Sequence, residues 1–344
     1  MKQKSLTGYS LSRLLALLSL VTFFAVGCTA EDLRFWDTER SAVGERRGDD
    51  ATAPSPSDDS QLSPQGRSWL PTEMVVIGDS IASGLLGGTK MGDVAPNEYL
   101  KYFANYSSLR ENLLSLGEED RGRYSPFTGK FLTNSIESRL SAWNPDLAVF
   151  NPSIPGATSW DAEAMIAKGI ELGYSFELAF VEIGHNDFCM SNSTVEAYRA
   201  QYRKNLQTIL AHNPHARLVL TSLLHIPSVF AVGPESATAA KLNTWSGFRA
   251  TCSQVRDTME HACDGWFEGK RNQFPAYVKV ISDLAAEMQK AYPEARIVVA
   301  DGFSDASFVQ TDSMAFDCFH PNRFGYSRYS EALWADLVES GLLN

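Results

Sequence analysis

The segment Met74–Gly84 reads "MVVIGDSIASG", an apolar β-branched run that breaks abruptly into Gly78-Asp79-Ser80. Apolar residues at consecutive rather than alternate positions suit a strand covered on both faces of a parallel sheet. Four further runs follow: "LAVF" at Leu147, "LAFVEI" at Leu178, "RLVLTSL" at Arg217 and "RIVVAD" at Arg296. Helical stretches lie between them, "SWDAEAMIAKGIELG" from Ser159, "VEAYRAQYRKNLQTILAH" from Val195 and "YVKVISDLAAEMQKAY" from Tyr277, and "SRYSEALWADLVESGLL" closes the chain. Strands alternating with helices predict a doubly wound α/β domain on about five parallel strands.

In such sheets ligands bind beyond the carboxyl ends of the strands. Ser80 stands just past the first strand, "NPSIPGA" (Asn151 to Ala157) past the second and "GHND" (Gly184 to Asp187) past the third. Taken singly, each has an ordinary reading as a loop, a turn glycine or a capping residue. In register with three strands, they place three polar loops at one rim. Between the last strand and the last helix, "FDCFHPN" sets Asp317 three residues before His320. Serine chemistry needs a base for the hydroxyl proton, a carboxylate to orient that base, and donors aimed at the oxygen that becomes negative. The Ser80 N–H, the Gly156 N–H and the Asn186 side-chain amide are the candidate donors. A histidine base predicts activity lost as pH falls through the imidazole range. Asp79 is expected to hydrogen-bond within the Gly78 turn, and His185 to pack the loop. His225 is expected at the edge of the core and Trp334 within it.

The four blocks, "GDS", the glycine of "NPSIPGA", the asparagine of "GHND" and the Asp-x-x-His of "DCFHPN", resemble in order and strand placement those of the GDSL, or SGNH, hydrolases. The likeness runs from about Thr72 to the C-terminus. It implies a three-layer α/β/α sandwich without metal or organic cofactor, with Ser80 as nucleophile, His320 as base and Asp317 as its orienting carboxylate. Ser80, Gly156 and Asn186 would form the oxyanion hole. The Gly-x-Ser-x-Gly elbow of α/β-hydrolases is absent, since Ala82 follows Ser80 by two. Within the family, the tail "DCFHPNRFGYSRYSEALWADL" is similar to the phospholipase B-type lipases. The stretch from Gly84 to Pro145, where substrate loops fall, matches no assigned pattern.

The chain of 344 residues is 44% hydrophobic and carries a formal charge of −11. That acidity argues against nucleic-acid partners and against electrostatic docking on anionic lipid. A basic start, "MKQK", leads through "LLALLSLVTFFAV" to "AVGC". This is the pattern of an export leader (1–27), and "AVGC" resembles a lipobox that would make Cys28 a lipidated membrane anchor. Residues 28–70, rich in Pro, Ser and charge, read as a disordered tether ahead of the domain at 71–344. Without the anchor the protein would be secreted. Cys189, Cys252, Cys263 and Cys318 admit three disulfide pairings, of which Cys252–Cys263 with Cys189–Cys318 is preferred. No cysteine or histidine spacing suggests a metal site. The expected activity is hydrolysis of carboxylic esters, with lipid esters ahead of carbohydrate or peptidoglycan O-acetyl esters. Acyl transfer to another alcohol needs the same residues, and a non-catalytic surface-binding lipoprotein is the rival from outside enzymology.

Overall fold

The computed structural model describes residues 69–85, 87, 122–189, 193–226, 271–302, 304, 313 and 320–343, all within one compact unit, Asp58–Asn344. The leader, nearly all of the tether, Asp317, Cys28, Cys252, Cys263, Cys318 and the glycosylation sequons at Asn105 and Asn192 lie outside the described residues.

All five expected strands form: β1 (Glu73–Gly78), β2 (Ala148–Phe150), β3 (Leu178–Glu182), β4 (Arg217–Thr221) and β5 (Arg296–Ala300). They make one parallel sheet in the order β2-β1-β3-β4-β5. In register, Val75 pairs with Phe150 and Ala179, Ala179 with Leu218, and Leu218 with Ile297. The helices are α1 (Ser80–Ser83), α2 (Ile136–Ser141), α3 (Ser159–Glu171), α4 (His185–Cys189), α5 (Val195–His212), α6 (Phe274–Ala291) and α7 (Arg323–Glu339).

The continuous apolar runs arise because both faces of the sheet are covered. Val75, Ile77, Val181 and Leu220 pack on one face beneath Met165 of α3, Leu206 of α5 and Leu284 of α6. Met74, Val76, Phe180 and Val219 pack on the other beneath Leu140 of α2 and Tyr329 and Leu333 of α7. The result is the expected three-layer α/β/α sandwich. Trp334 is in the second core, its ring tilted against Trp143 with centroids 5.1 Å apart.

Helix starts differ from the periodicity where a local group captures the first N–H donors. Helix α6 begins at Phe274 rather than Tyr277, because Pro275 fits the first turn, where no N–H is needed. Helix α7 begins at Arg323 because the Asn322 side chain accepts from the Phe324 and Gly325 N–H groups at 2.9 and 3.1 Å. Among the described residues, no helix is long and apolar enough to cross a membrane.

Candidate active site

The order 2-1-3-4-5 reverses direction between β1 and β3, which opens a crevice at the carboxyl ends of those strands. β1 runs into it with Gly78. A Cβ there would lie 2.3 Å from the Ala82 Cβ and 2.9 Å from the Glu182 carbonyl oxygen, so only glycine lets the chain fold back into α1 against β3. Asp79 then caps α1, its Oδ1 accepting from the Ile81 N–H at 2.9 Å. The Ala82 N–H donates to Glu182 Oε2 at 3.1 Å and the Ser83 N–H to the Asp79 carbonyl at 3.0 Å. No acceptor among the described residues takes the Ser80 N–H.

The Ser80 hydroxyl lies 2.9 Å from Nε2 of His320, and both side chains are buried. His320 sits two residues ahead of the Asn322 cap, so the start of α7 sets its position. The loop after β2 is stitched to the same rim: the Ile154 N–H donates to the Gly78 carbonyl at 3.2 Å. Gly156 in that loop is exposed at φ +77°, with nothing within 4 Å of where a Cβ would stand. Asn186, in α4 after β3, donates through Nδ2 to the Ala157 carbonyl at 2.8 Å, and its next acceptor, Asp79 Oδ2, is 3.4 Å away. Asp187 clamps the start of α3, accepting from the Ser159 N–H at 2.7 Å and hydroxyl at 2.5 Å. Ser80, Gly156, Asn186 and His320 thus stand on loops joined at one rim. A hydroxyl bonded to an imidazole beside amide donors is the arrangement that attacks an electrophilic carbon and holds the resulting oxyanion.

A family model described as GDSL-like Lipase/Acylhydrolase matches residues 74–333. The chain belongs to that family. The resemblance carried by the four sequence blocks is therefore borne out at the level of the GDSL hydrolases. No curated protein matches the chain. Among solved structures, the chain is similar to the lipase/acylhydrolase from Enterococcus faecalis, at 18% identity and a TM-score of 0.40 over 79% of this chain and 97% of that one. It is also similar to an acetyl xylan esterase from Geobacillus stearothermophilus, at 16% and 0.41 over 80% and 97%. The psychrotrophic esterase EstA from Pseudoalteromonas sp. matches at 14% and 0.42 over 78% and 97%. These likenesses carry no argument about the substrate of this chain.

Two features of this GDSL-family site escaped the sequence reading. The first lies behind Ser80, where Asp79, Glu182 and His185 are buried together with one ligand-type atom of each within 4.8 Å of the others. His185 Nδ1 is 3.1 Å from Asp79 Oδ2 and 3.2 Å from Glu182 Oε1. Its Nε2 accepts the Leu224 N–H at 2.9 Å, so the ring proton sits on Nδ1. A protonated Nδ1 has no lone pair for a metal, and the trio does not fit a cation site. Burial, and then the neighbouring Asp79 charge, push the Glu182 carboxyl well above the usual carboxylate range. His185 thus packs the loop as expected, with both ring nitrogens committed. Glu182 gave no signal in sequence, because at the end of an apolar run it reads as the strand emerging into solvent.

The second feature is in the unassigned stretch. The buried Ser125 hydroxyl donates to the Ala82 carbonyl at 2.6 Å and accepts from the Phe127 and Thr128 N–H groups, each at 3.1 Å. Phe127 is wedged against Phe180 of β3 and Tyr329 of α7. This turn braces the underside of α1. His225 is half-buried at the core edge, edge-on to Phe274.

Proposed function

We propose that the protein is a serine esterase in which Ser80 is the nucleophile and His320 the base. The observation that carries this reading is the 2.9 Å contact between the Ser80 hydroxyl and His320 Nε2, at a rim where no acceptor among the described residues takes the Ser80 N–H. Ser80 Oγ bonds to the acyl carbon as its proton passes to His320 Nε2, and the carbonyl electron pair moves onto oxygen. The amides of Ser80, Gly156 and Asn186 receive that oxyanion, each donor supplying roughly 2.7–4 kcal/mol in the transition state. Collapse breaks the ester C–O bond, and His320 returns the proton to the leaving alcohol. Water repeats the sequence and releases the acid. Asp317, outside the described residues, is assigned as the carboxylate that orients His320.

Lipid esters are the favoured substrates. The phospholipase B-like tail supports this, as do two exposed aromatic side chains, each four residues beyond a site residue. Trp160, after Gly156, is 58% exposed, and Phe324, after His320, is 38% exposed. Export and lipidation at Cys28 complete the proposal, supported by the "MKQK" to "AVGC" leader pattern. A disulfide at Cys189 is supported by its disulfide-bonded sulfur, and pairing of Cys252, Cys263 and Cys318 is part of the proposal on their even count with it in an exported chain.

The test compares hydrolysis of p-nitrophenyl esters of increasing chain length by the leaderless protein and its Ser80→Ala variant. The variant is expected to lose more than about 10³-fold in kcat/KM. A maximum at long chains supports lipid esters, and a maximum at acetyl selects the O-acetyl esterase. Equal rates in the two proteins overturn the nucleophile. A protein inert on every ester, and unlabelled by a fluorophosphonate, is a binding module.

A further inference from the structure

The trio behind the nucleophile presents a charge problem. Asp79 and Glu182 are both fully buried, and their carboxyl oxygens sit within 4.8 Å of each other. Among the described residues, the one cationisable group in contact with either is His185. Its Nε2 already accepts the Leu224 N–H, so a second ring proton would force two hydrogens together and break that bond. The ring therefore offers a single N–H, at Nδ1, to two carboxyl groups. The other titratable groups facing the trio add no positive charge. They are Asp187 from α4, Tyr198 and Tyr202 from α5 and Tyr329 from α7, all themselves displaced upward, with burial the first cause in each. His320 is bonded to the Ser80 hydroxyl and is not among the groups within 4.8 Å of the trio's ligand atoms.

The donors are shared unequally. Asp79 takes the Ile81 N–H on Oδ1, and on Oδ2 the His185 Nδ1–H at 3.1 Å with Asn186 Nδ2 at 3.4 Å. Glu182 takes the Ala82 N–H on Oε2 at 3.1 Å and is helped by the Asp79 backbone N–H, two backbone donors outweighed by burial and the Asp79 carboxyl, while its buried Oε1 has no hydrogen-bond partner among the described residues beyond the 3.2 Å approach of the His185 ring. The better-solvated carboxyl keeps the charge and the poorer one keeps the proton.

We propose that Asp79 and Glu182 hold one proton between them, carried by Glu182, and that this acid pair, with His185 as its fixed donor, positions the nucleophile turn. Both carboxyl groups cap α1, through Ile81 and Ala82, and Asp79 also faces Asn186. The pair thus leaves the Ser80 N–H to the substrate while keeping the charge behind it at one, and Asn186 has to give up only its long, 3.4 Å contact with Asp79 to turn a proton to the oxyanion. Ionisation of Glu182 would place a second negative charge behind the oxyanion donors and oppose the transition state. Glu182 and His185 are positioning residues, and neither touches the reacting atoms.

The kinetic arm of the test rests on the esterase reading, and a spectroscopic arm does not. In protein labelled with ¹³C at the glutamate carboxyls, one resonance should titrate well above ordinary glutamates and vanish in Glu182→Gln. Glu137, another glutamate pushed up by burial among the described residues, is assigned separately by Glu137→Gln, and Glu182→Asp, which keeps the acid, removes the same glutamate resonance if Glu182→Gln does not fold. In ester hydrolysis, Glu182→Gln should keep the neutral-pH rate within about threefold, because an amide replaces a neutral carboxyl without a change of charge. It should also lack an alkaline decline of about tenfold or more that the parent is expected to show. An ordinary titration of Glu182 overturns the proposal. So does a folded Glu182→Gln variant that loses activity about a hundredfold at neutral pH or keeps the alkaline decline. A raised titration in a protein that neither hydrolyses esters nor reacts with fluorophosphonate leaves the acid pair standing and refutes the esterase.

Discussion

Replacing Ser125 by alanine removes its bonds to the Ala82 carbonyl and from the Phe127 and Thr128 N–H groups, and a longer one from Asn151 Nδ2 at 3.5 Å. The hydroxyl is fully buried, so no water takes its place without rearrangement. The Phe127 and Thr128 N–H groups, both 3.1 Å from it, lose their acceptor. The Ala82 carbonyl keeps a weaker donor, Asn151 Nδ2 at 3.3 Å, and contributes less to the loss. Two orphaned backbone donors at about 1–3 kcal/mol each give an expected destabilisation of about 2–6 kcal/mol. For a domain of this size, at roughly 2–4 °C per kcal/mol, that is a fall of at least about 4 °C in Tm. Because Ala82 lies in α1 two residues beyond Ser80, the turn should also shift the nucleophile, at a cost in kcat of up to about 10²-fold for a displacement near 1 Å. Thermal and urea denaturation give the first quantity, and ester hydrolysis with fluorophosphonate labelling the second. A stability loss below about 0.5 kcal/mol, the range of an ordinary surface change, refutes the bonding argument. Loss of stability with kcat unchanged refutes the link from this turn to the nucleophile.

Gly184→Ala is expected to cost about 3–5 kcal/mol in urea denaturation, since a Cβ at φ +135° would stand 2.5 Å from the Tyr198 hydroxyl, which donates to the Ile183 carbonyl at 3.1 Å. Parental stability in this variant would mean that the buried ring moves freely. Burial raises the Asp187 carboxyl above its ordinary value. Its contribution to stability is then full below the unfolded-state value, about 3.9, and declines as pH rises through the raised one. Asp187→Asn should flatten Tm against pH over that interval, and parallel profiles for the two proteins would contradict the assignment.

Much of the scaffold was legible because the signals are local. Val75 to Ile77 and Leu218 to Leu220 read as doubly covered strands because every side chain is apolar, whichever face it meets. Gly78 was legible as the break that ends β1, and Ser80, Gly156 and Asn186 because each follows a strand at a short offset, and offsets survive folding. Helix starts were less legible, because a cap such as Asn322 lies outside the apolar period. Glu182 was invisible for a physical reason: a carboxyl at the end of a strand is normally solvated. Only the packing of β1 beside β3 places it under α1.

By itself, then, the sequence determined the five-strand α/β architecture, the family and the rim on which Ser80 stands, all consequences of periodicity and of glycines that permit tight turns. The tertiary structure alone decided which groups meet across the chain. It set His320 against Ser80 from 240 residues away, Ser125 against the Ala82 carbonyl and the Leu224 N–H against His185. The His185 tautomer and the state of the acid pair beside it depend on those meetings. A proton's place is fixed by the donors and acceptors within about 3 Å of it in a buried volume, and no one-dimensional spacing carries that information.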